Sequence, residues 1–325
     1  MNIYPWLESV YAQLASKLER VPHAVLLHGP RGVGKRALAE HYARALLCES
    51  ADAAKPCDRC ESCRWVLSGT HPDLRIIEPE TRQTARPAAD DEPVAKTAKP
   101  SSEIKIDQVR GLAPFLSLGS HRGKRRIAIL HPAEEMNLHS TNALLKALEE
   151  PPGAAMFVLV SDRASRLLPT IRSRCVALAV GQPPREAALA WLIGQKVDQP
   201  ERWLDYAGGT PLRALEYAQG ERSGLLKHLL SVESPEALRD ARRLADREDL
   251  DLFAEFLQKT AFDQALAAFG LPARFGTALQ APRQRPRTVR LRLARHLNRE
   301  RLALRQPLNP ALFMESCVAA LEGRG

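Results

Sequence analysis

The sequence predicts an α/β domain built on a parallel sheet, followed by two regions that are helical throughout. Short apolar runs alternate with segments of helical periodicity, as expected for parallel strands covered by helices. The runs lie at 24–28, 74–77, 127–130, 156–160 and 176–180. After Gln182-Pro183-Pro184 the apolar residues recur only with helical spacing. With 325 residues, of which 45% are hydrophobic, the chain is long enough for two or three domains.

A glycine-rich loop follows the first predicted strand and precedes a helix. Backbone N–H groups in such loops can approach phosphate oxygens, and a lysine reaches the outer phosphates. The residues in these positions are Gly29, Gly32, Gly34 and Lys35. The next position normally carries a Ser or Thr hydroxyl for Mg²⁺, but Arg36 has no acceptor atom to offer. Two interpretations stay open: a loop that still holds nucleotide tightly, or a structural turn, which we favour. We therefore expect ATP binding at this loop to be weak or vestigial.

The predicted strand at 127–130 lacks the acidic ending that ATP hydrolysis requires. In phosphate-loop ATPases an acidic residue at this place holds the magnesium ion. Here His131-Pro132 follows the strand, and Glu134 and Glu135 come four and five residues after its last residue, Leu130. We expect these glutamates to lie in the next turn, where they do not replace the missing acid. The sequence therefore predicts no intrinsic ATP hydrolysis.

Four cysteines form a C-x8-C-x2-C-x2-C cluster: Cys48, Cys57, Cys60 and Cys63. Thiolates at this spacing can converge on one tetrahedral Zn²⁺ ion and leave no open position for catalysis. Disulfides are the less favoured alternative, because we expect a cytoplasmic chain, which is kept reduced. His71 precedes the strand at 74–77, so we predict a capping or turn role for it rather than metal binding.

Residues 79–102 lose periodicity, and we predict a mobile insertion there. A helix is expected over 141–150, begun by Ser140 or Thr141 and stopped by Pro151. The chain has no apolar run of about 18 residues and no signal peptide, so we expect a soluble protein without a membrane partner.

The C-terminal half divides into two helical regions. A small unit ends near residue 219, closed by the turn at 208–211 and the helix after it. Beyond it we predict a helical bundle with two apolar stripes. The stripes consist of Leu250, Phe253, Phe256 and Leu257, and of Val289, Leu293 and Leu297.

Arginines are concentrated near the C-terminus. The chain has a formal net charge of +9, and residues 283–305 hold nine arginines and the single acid Glu300. A nucleic acid or an acidic protein could bind such a segment. Arg292, Arg295 and Arg299 recur at i, i+3 and i+7, which favours the simpler interpretation of a solvated helix face.

Taken together, the motifs resemble those of clamp-loader subunits of the AAA+ superfamily, most closely the delta-prime family of bacterial DNA polymerase III. They are the phosphate loop, the four cysteines, Thr70-His71-Pro72-Asp73, Ile106-Asp107-Gln108-Val109-Arg110, Asn142-Ala143-Leu144-Leu145-Lys146, Glu149-Glu150-Pro151-Pro152, Ser173-Arg174-Cys175 and Asn309-Pro310. The resemblance implies three domains. These are a P-loop AAA+ core at 1–181 with a zinc module at 48–63, a helical lid at 182–221 and an oligomerising helical collar at 222–325.

The resemblance also implies a role in DNA replication. The expected protein is a non-hydrolysing clamp-loader subunit in the cytoplasm. It would act with gamma/tau and delta subunits, the sliding clamp and, through the complex, primer-template DNA. Arg174, with Ser173, would reach the ATP of a neighbouring subunit in trans. In motor subunits a lid arginine touches the subunit's own nucleotide, but here Leu212 falls at that place and Arg213 is displaced by one.

Two other functions stay open. A gamma/tau-type motor subunit would share the cysteines and the Ser-Arg-Cys motif, but Arg36, His131 and Pro132 argue against it. A zinc-containing DNA-binding module outside replication would bind DNA tightly as a single chain. A ring subunit would need its partners to do so.

Overall fold

The computed structural model describes residues 3–16, 21–51, 55–83, 101–122, 125–232, 234, 238, 247–277, 286–303 and 309–322. The chain divides into two compact units, Met1–Pro184 and Arg185–Gly325.

A five-stranded parallel sheet forms the centre of the first unit. Its strands are β1 (Ala24–His28), β2 (Leu74–Ile77), β3 (Arg126–Leu130), β4 (Ala155–Ser161) and β5 (Val176–Ala179). Their order across the sheet is β2-β3-β4-β1-β5, and Leu26 of β1 lies opposite Leu159 on one side and Ala177 on the other. All five predicted strands are confirmed. Because every pairing is parallel, the carboxyl ends of the strands share one edge of the sheet.

Helices cover both faces of this sheet. A short 3₁₀ turn (Pro5–Leu7) precedes the first of them. They are α1 (Glu8–Ala15), α2 (Lys35–Leu47), α3 (Glu61–Ser68), α4 (Glu80–Gln83), α5 (Ile106–Arg110), α6 (Leu112–Ser117), α7 (Leu138–Glu149) and α8 (Pro169–Arg172). Alternate residues of β1 point to opposite faces. Val25 and Leu27 join one apolar cluster with α2, while Ala24 and Leu26 join another with α5, α6 and α7.

Helix α7 begins earlier than the sequence predicts. The expected start at Ser140 or Thr141 is wrong, because the helix begins at Leu138. Asn137 is the N-cap, and its side-chain oxygen accepts a hydrogen bond from Ser140 N at 2.9 Å. An asparagine side chain accepts a hydrogen bond from a free N–H group of the first turn as well as a serine side chain does. The helix can therefore begin after the earlier polar residue, Asn137.

The predicted insertion at 79–102 lies mostly outside the described residues, which resume at Ser101. Its two described ends are joined. Thr81 N donates to Ser101 O at 3.2 Å, and Lys105 Nζ lies 2.6 Å from Glu80 Oε1. The insertion therefore leaves and re-enters the first unit at neighbouring points.

The described residues of the second unit form helices and connecting loops. The helices are α9 (Arg185–Gly194), α10 (Pro200–Tyr206), α11 (Pro211–Gln219), α12 (Ser223–Ser231), α13 (Arg247–Ala268), α14 (Arg287–Ala303) and α15 (Pro310–Glu322). A single apolar cluster runs from Ala188 to Leu321. The stripe on α13 is buried as predicted. On α14, Leu293 and Leu297 are buried, but Val289 is 37% exposed and its predicted core position is wrong.

Among the described helices, none combines the length and the apolar character needed to cross a bilayer. The division of the second unit into lid and collar at residue 221 remains a proposal.

Candidate functional site

The glycine-rich loop connects β1 to α2 at the carboxyl edge of the sheet. A Cβ atom on Gly29 would lie 2.0 Å from the carbonyl oxygen of Val180, so only glycine fits there. Gly34 has a left-handed φ of 97°, and a Cβ atom on it would lie 2.8 Å from the ring of Tyr4. The predicted loop thus has a fixed backbone shape against its neighbours.

Lys35, the phosphate-binding lysine of the motif, has partners within the chain. Its side chain is only 3% exposed. The ammonium group donates to the carbonyl oxygens of Gly29 at 2.8 Å and Pro30 at 2.6 Å, and lies 2.7 Å from Asp162 Oδ1. A lysine ammonium has three hydrogens to donate, and these three oxygens can use all of them.

Arg36, at the position of the magnesium-binding hydroxyl, pairs with two carboxylates. Its Nε lies 2.8 Å from Glu40 Oε1, and its guanidinium forms an ion pair with Glu78. The same Glu78 oxygen lies 3.2 Å from Nδ1 of His131, the residue that replaces the expected acid at the end of β3. Arg36 and His131 therefore meet on one buried carboxylate.

His131 is neutral at physiological pH. Burial, reinforced by the guanidinium groups of Arg82 and Arg36, lowers the pKa of His131 to about 4. A neutral imidazole can donate from Nδ1 to Glu78, as the 3.2 Å distance indicates.

The two glutamates after β3 lie where the sequence predicts, in a 3₁₀ turn at Ala133–Glu135. Glu134 Oε1 accepts a hydrogen bond from Asp162 N at 2.9 Å. Glu134 thus helps to fix the backbone of Asp162, the residue that pairs with Lys35.

The sequence interpretation missed Glu78 and Asp162. Each follows directly after a parallel strand, β2 or β4, and the carboxyl ends of these strands share an edge with the loop. Their positions in the sequence could have identified both residues as part of the site, because polar residues just beyond the carboxyl ends of parallel strands lie along the same edge of the sheet.

The four predicted cysteines lie together, with their sulfur atoms within 4.8 Å of one another. Cys48 is the C-cap that follows α2, and Cys60 is the N-cap of α3. Backbone N–H groups of Cys57, Cys60 and Cys63 each donate to a cysteine sulfur at 3.4 Å. Hydrogen bonds from the backbone of Arg59 and Cys60 lower the pKa of the Cys57 thiol to about 6. Thiolates around a tetrahedral zinc ion lie about 3.8 Å apart, so this cluster could hold a metal such as zinc.

His71 has the turn role that the sequence predicts. It is buried, its Nδ1 accepts a hydrogen bond from Asp73 N at 3.0 Å, and its Nε2 lies 2.7 Å from Ser62 Oγ. Ser62 Oγ in turn donates to Leu47 O at 2.8 Å. His71 thus ties the start of β2 to the two helices that bracket the cysteine cluster.

Arg174 lies just beyond α8, at the entry to β5. Its side chain is 35% exposed, its Nη2 lies 2.7 Å from Glu149 Oε1, and its Nη1 donates to Thr170 O at 2.9 Å. Ser173 is exposed and donates to the same carbonyl at 3.0 Å. The sequence showed Glu149 only as part of a motif and did not predict its pairing with Arg174.

Arg213, on α11, belongs to a buried ion cluster in the second unit. It pairs with Glu255 and Tyr217, while Lys259 lies 2.8 Å and Arg301 3.3 Å from the same glutamate. These three cations hold the pKa of Glu255 far below its ordinary value, against the effect of burial. The neighbouring Leu212 is half-buried.

The known proteins with similar sequences include subunits of DNA polymerase III. A family model described as "DNA polymerase III, delta subunit" matches residues 7–183, more than half of the chain. DNA polymerase III subunit delta' of Pseudomonas aeruginosa is 42% identical over 226 residues, which make up 68% of this chain and 63% of that protein. The chain thus spans less than two thirds of that relative's length. The Yersinia pestis subunit delta' is 34% identical over 76% of this chain and 68% of its own length.

A second kind of relative matches a smaller part of the chain. DNA polymerase III subunit tau of Salmonella typhimurium is 33% identical over 171 residues, 52% of this chain and 23% of the tau protein. The Pseudomonas and Yersinia delta' subunits thus match a larger share of this chain, and a larger share of their own length, than the tau protein does. The chain belongs to the DNA polymerase III subunit delta' family.

Proposed function

We propose that this chain is a non-hydrolysing subunit of a DNA polymerase III clamp loader. In this role it assembles in the cytoplasm with gamma/tau and delta subunits and helps to place the sliding clamp on primer-template DNA. The names of its delta' relatives and their share of the chain support this proposal. So does the arrangement of charges around its own phosphate loop.

The pairing of Lys35 and Arg36 with carboxylates carries the proposal. Phosphoryl transfer needs a free lysine for the outer phosphates, a hydroxyl and an acid for Mg²⁺, and a group that orients water. In this chain Lys35 contacts Asp162, and Arg36 and the neutral His131 share Glu78. A guanidinium therefore stands where the metal would need a ligand, and nucleotide binding at Gly29, Gly32, Gly34 and Lys35 is weak or vestigial.

We assign the catalytic contribution of the chain to Arg174, which would act on the ATP of an adjacent subunit. An arginine supplied in trans stabilises the charge on the phosphoryl group as it is transferred. Arg174 is partly exposed and its partner Glu149 is half-exposed, so a phosphate could replace that carboxylate at little cost. Ser173 would help to hold the turn through Thr170.

We assign a structural zinc ion to Cys48, Cys57, Cys60 and Cys63. When bound, the ion would crosslink the segment between α2 and α3. It would have no catalytic role, since the protein provides all four ligands and leaves no open position. The protein itself supports the segment through Arg44 on α2, whose Nε lies 2.9 Å from Asp58 Oδ1.

Phosphate release by the purified chain tests the proposal against the motor-subunit alternative. The chain alone should release no phosphate from ATP above background, with or without DNA. When it is mixed with gamma/tau and delta subunits, it should co-purify with them and support clamp loading. Turnover by the lone chain that Lys35→Ala abolishes would assign it to the motor class. Tight DNA binding without any association with clamp-loader subunits would favour the zinc-containing DNA-binding module instead.

A further inference from the structure

A row of exposed arginines lies along the outer face of α14 (Arg287–Ala303). Arg292, Arg295 and Arg299 are all exposed, and none forms an ion pair with another described residue. At a rise of about 1.5 Å per residue the row is about 10 Å long. The one acid of the helix, Glu300, is turned toward His296, with 3.9 Å between its Oε1 and the ring Nδ1.

The row lies opposite the side of α14 that faces the core. Leu293 and Leu297 are buried there. On the same side Arg290 donates to Gln264 O at 3.2 Å, and Arg301 donates to Gln258 Oε1 at 2.7 Å. With 100° between successive residues, the three exposed arginines point away from these contacts. Packing of the helix therefore does not require their positive charge.

The composition of this face selects among partners. A protein partner would need large apolar side chains at the centre of its contact. On α14 the exposed ones, Val289 and Leu291, lie at the edges of the arginine row, and Leu293 and Leu297 face the core. A single nucleic-acid strand would need aromatic rings for base stacking, and the only ring in residues 288–299 is that of His296, whose Nδ1 faces Glu300. Guanidinium groups bind phosphate in a bidentate manner and lose little hydration. The phosphate backbone of a duplex is the partner that uses only these groups.

We propose that the outer face of α14 is a contact site for the phosphate backbone of double-stranded DNA, bound without regard to sequence. Three phosphate contacts give a weak affinity that depends strongly on salt. The site lies in the second unit and does not involve Arg174 or the phosphate loop. This inference and the proposed ATP role can therefore fail independently.

Duplex binding by the full chain tests the site. The probe is a fluorescent duplex of about 20 base pairs, titrated by anisotropy from low to physiological salt. Replacement of all three arginines, in R292Q/R295Q/R299Q, should weaken binding at low salt by on the order of tenfold or more. It should lower the slope of log K against log salt by roughly 2.7, about 0.9 per lost phosphate contact. Two unrelated duplex sequences should show the same loss.

Two further variants make the result specific. Arg64, Lys227 and Arg274 are exposed cations elsewhere on the chain, so their triple replacement by Gln removes equal charge and should change binding little. The triple Arg→Lys variant on α14 should recover most of the salt slope, which a folding defect would not allow.

Three results would overturn the proposal. The first is no duplex binding by the folded parent at low salt, and the second is an equal loss in the α14 and control variants. The third comes from a parallel titration with fluorescent polyglutamate: a loss of polyglutamate binding in the α14 variant with unchanged duplex binding. The last of these would assign the face to an acidic protein.

Discussion

Lys35 Nζ lies 2.7 Å from Asp162 Oδ1, and both side chains are largely buried. Asp162 follows β4 and Lys35 begins α2, so the pair joins the two elements that a nucleotide phosphate would contact. With Arg36 paired to Glu78 beside it, the loop has internal partners for both of its cations. Any nucleotide would have to compete with these carboxylates.

Replacement of Arg36 and removal of the carboxylate that pairs with Lys35 should therefore increase the affinity of the loop for nucleotide. In the variant Arg36→Thr/Asp162→Asn, the hydroxyl of a magnesium ligand is restored and the competing carboxylate is removed. We expect Mg-ATP to bind on the order of tenfold more tightly, which corresponds to about 1.4 kcal/mol. Isothermal titration calorimetry measures this change. The control Arg64→Thr/Asp198→Asn alters exposed residues and should bind like the parent. Equal affinity of parent and loop variant would show that the ion pairs do not obstruct the site.

His131 should make the chain sensitive to mild acid. Its folded pKa of about 4 lies below the unfolded value of 6.5, so the unfolded state binds the proton more readily. The contribution to stability is complete above about pH 6.5 and is lost as the pH falls toward 4, about 3 kcal/mol in all.

Denaturant unfolding at several pH values isolates this contribution. The parent should lose more stability than His131→Asn between pH 6.5 and 4. His139→Asn, which alters an exposed histidine, should follow the parent. Parallel curves for the parent and His131→Asn would contradict the assignment of a neutral, buried imidazole.

The cysteine cluster should bind about one zinc ion per chain, since it can supply four thiolates to one tetrahedral site. Cys60→Ser should lower both the zinc content and the thermal midpoint, because metal affinity contributes directly to folding. Metal analysis and calorimetry check the two effects. The variant Cys317→Ser, which changes a buried cysteine of the second unit, serves as the control for zinc content. Full zinc content and an unchanged midpoint in Cys60→Ser would exclude the cluster as the site.

Glu255 should be essential to the stability of the second unit. Glu255→Gln leaves Arg213, Lys259 and Arg301 without their shared carboxylate. Loss of one partner of a buried ion pair typically costs about 3–5 kcal/mol. Glu315 is exposed, and we expect Glu315→Gln to lie within about 0.5 kcal/mol of the parent. Chemical denaturation gives both values, and similar stabilities for the two variants would contradict a central role for the cluster.

Local patterns in the sequence predicted the scaffold well. The five strands are short apolar runs, and they can be identified by their length and by the helical spacing of the apolar residues between them. The proximity of the four cysteines could be predicted because they lie within 16 residues of sequence at a characteristic spacing. The ion pairs could not be found in this way, because Arg36 and Glu78 are 42 positions apart and Lys35 and Asp162 are 127 apart. Only the sheet order brings them together. The early start of α7 was missed because several adjacent polar residues could each cap the helix.

Arg174→Ala in a reconstituted clamp loader tests the central claim, that this chain completes the ATP site of a neighbour. Arg172→Ala is the matched control, since Arg172 is exposed and lies two residues away on α8. Both variants should fold and assemble. A trans arginine is worth roughly 10³–10⁵ in rate at a single site, and a ring with several ATP sites dilutes that loss. The account predicts that only Arg174→Ala lowers the DNA- and clamp-stimulated ATPase and the clamp-loading rate. Loading at the parent rate by the assembled Arg174→Ala complex, across all ATP concentrations, would contradict it.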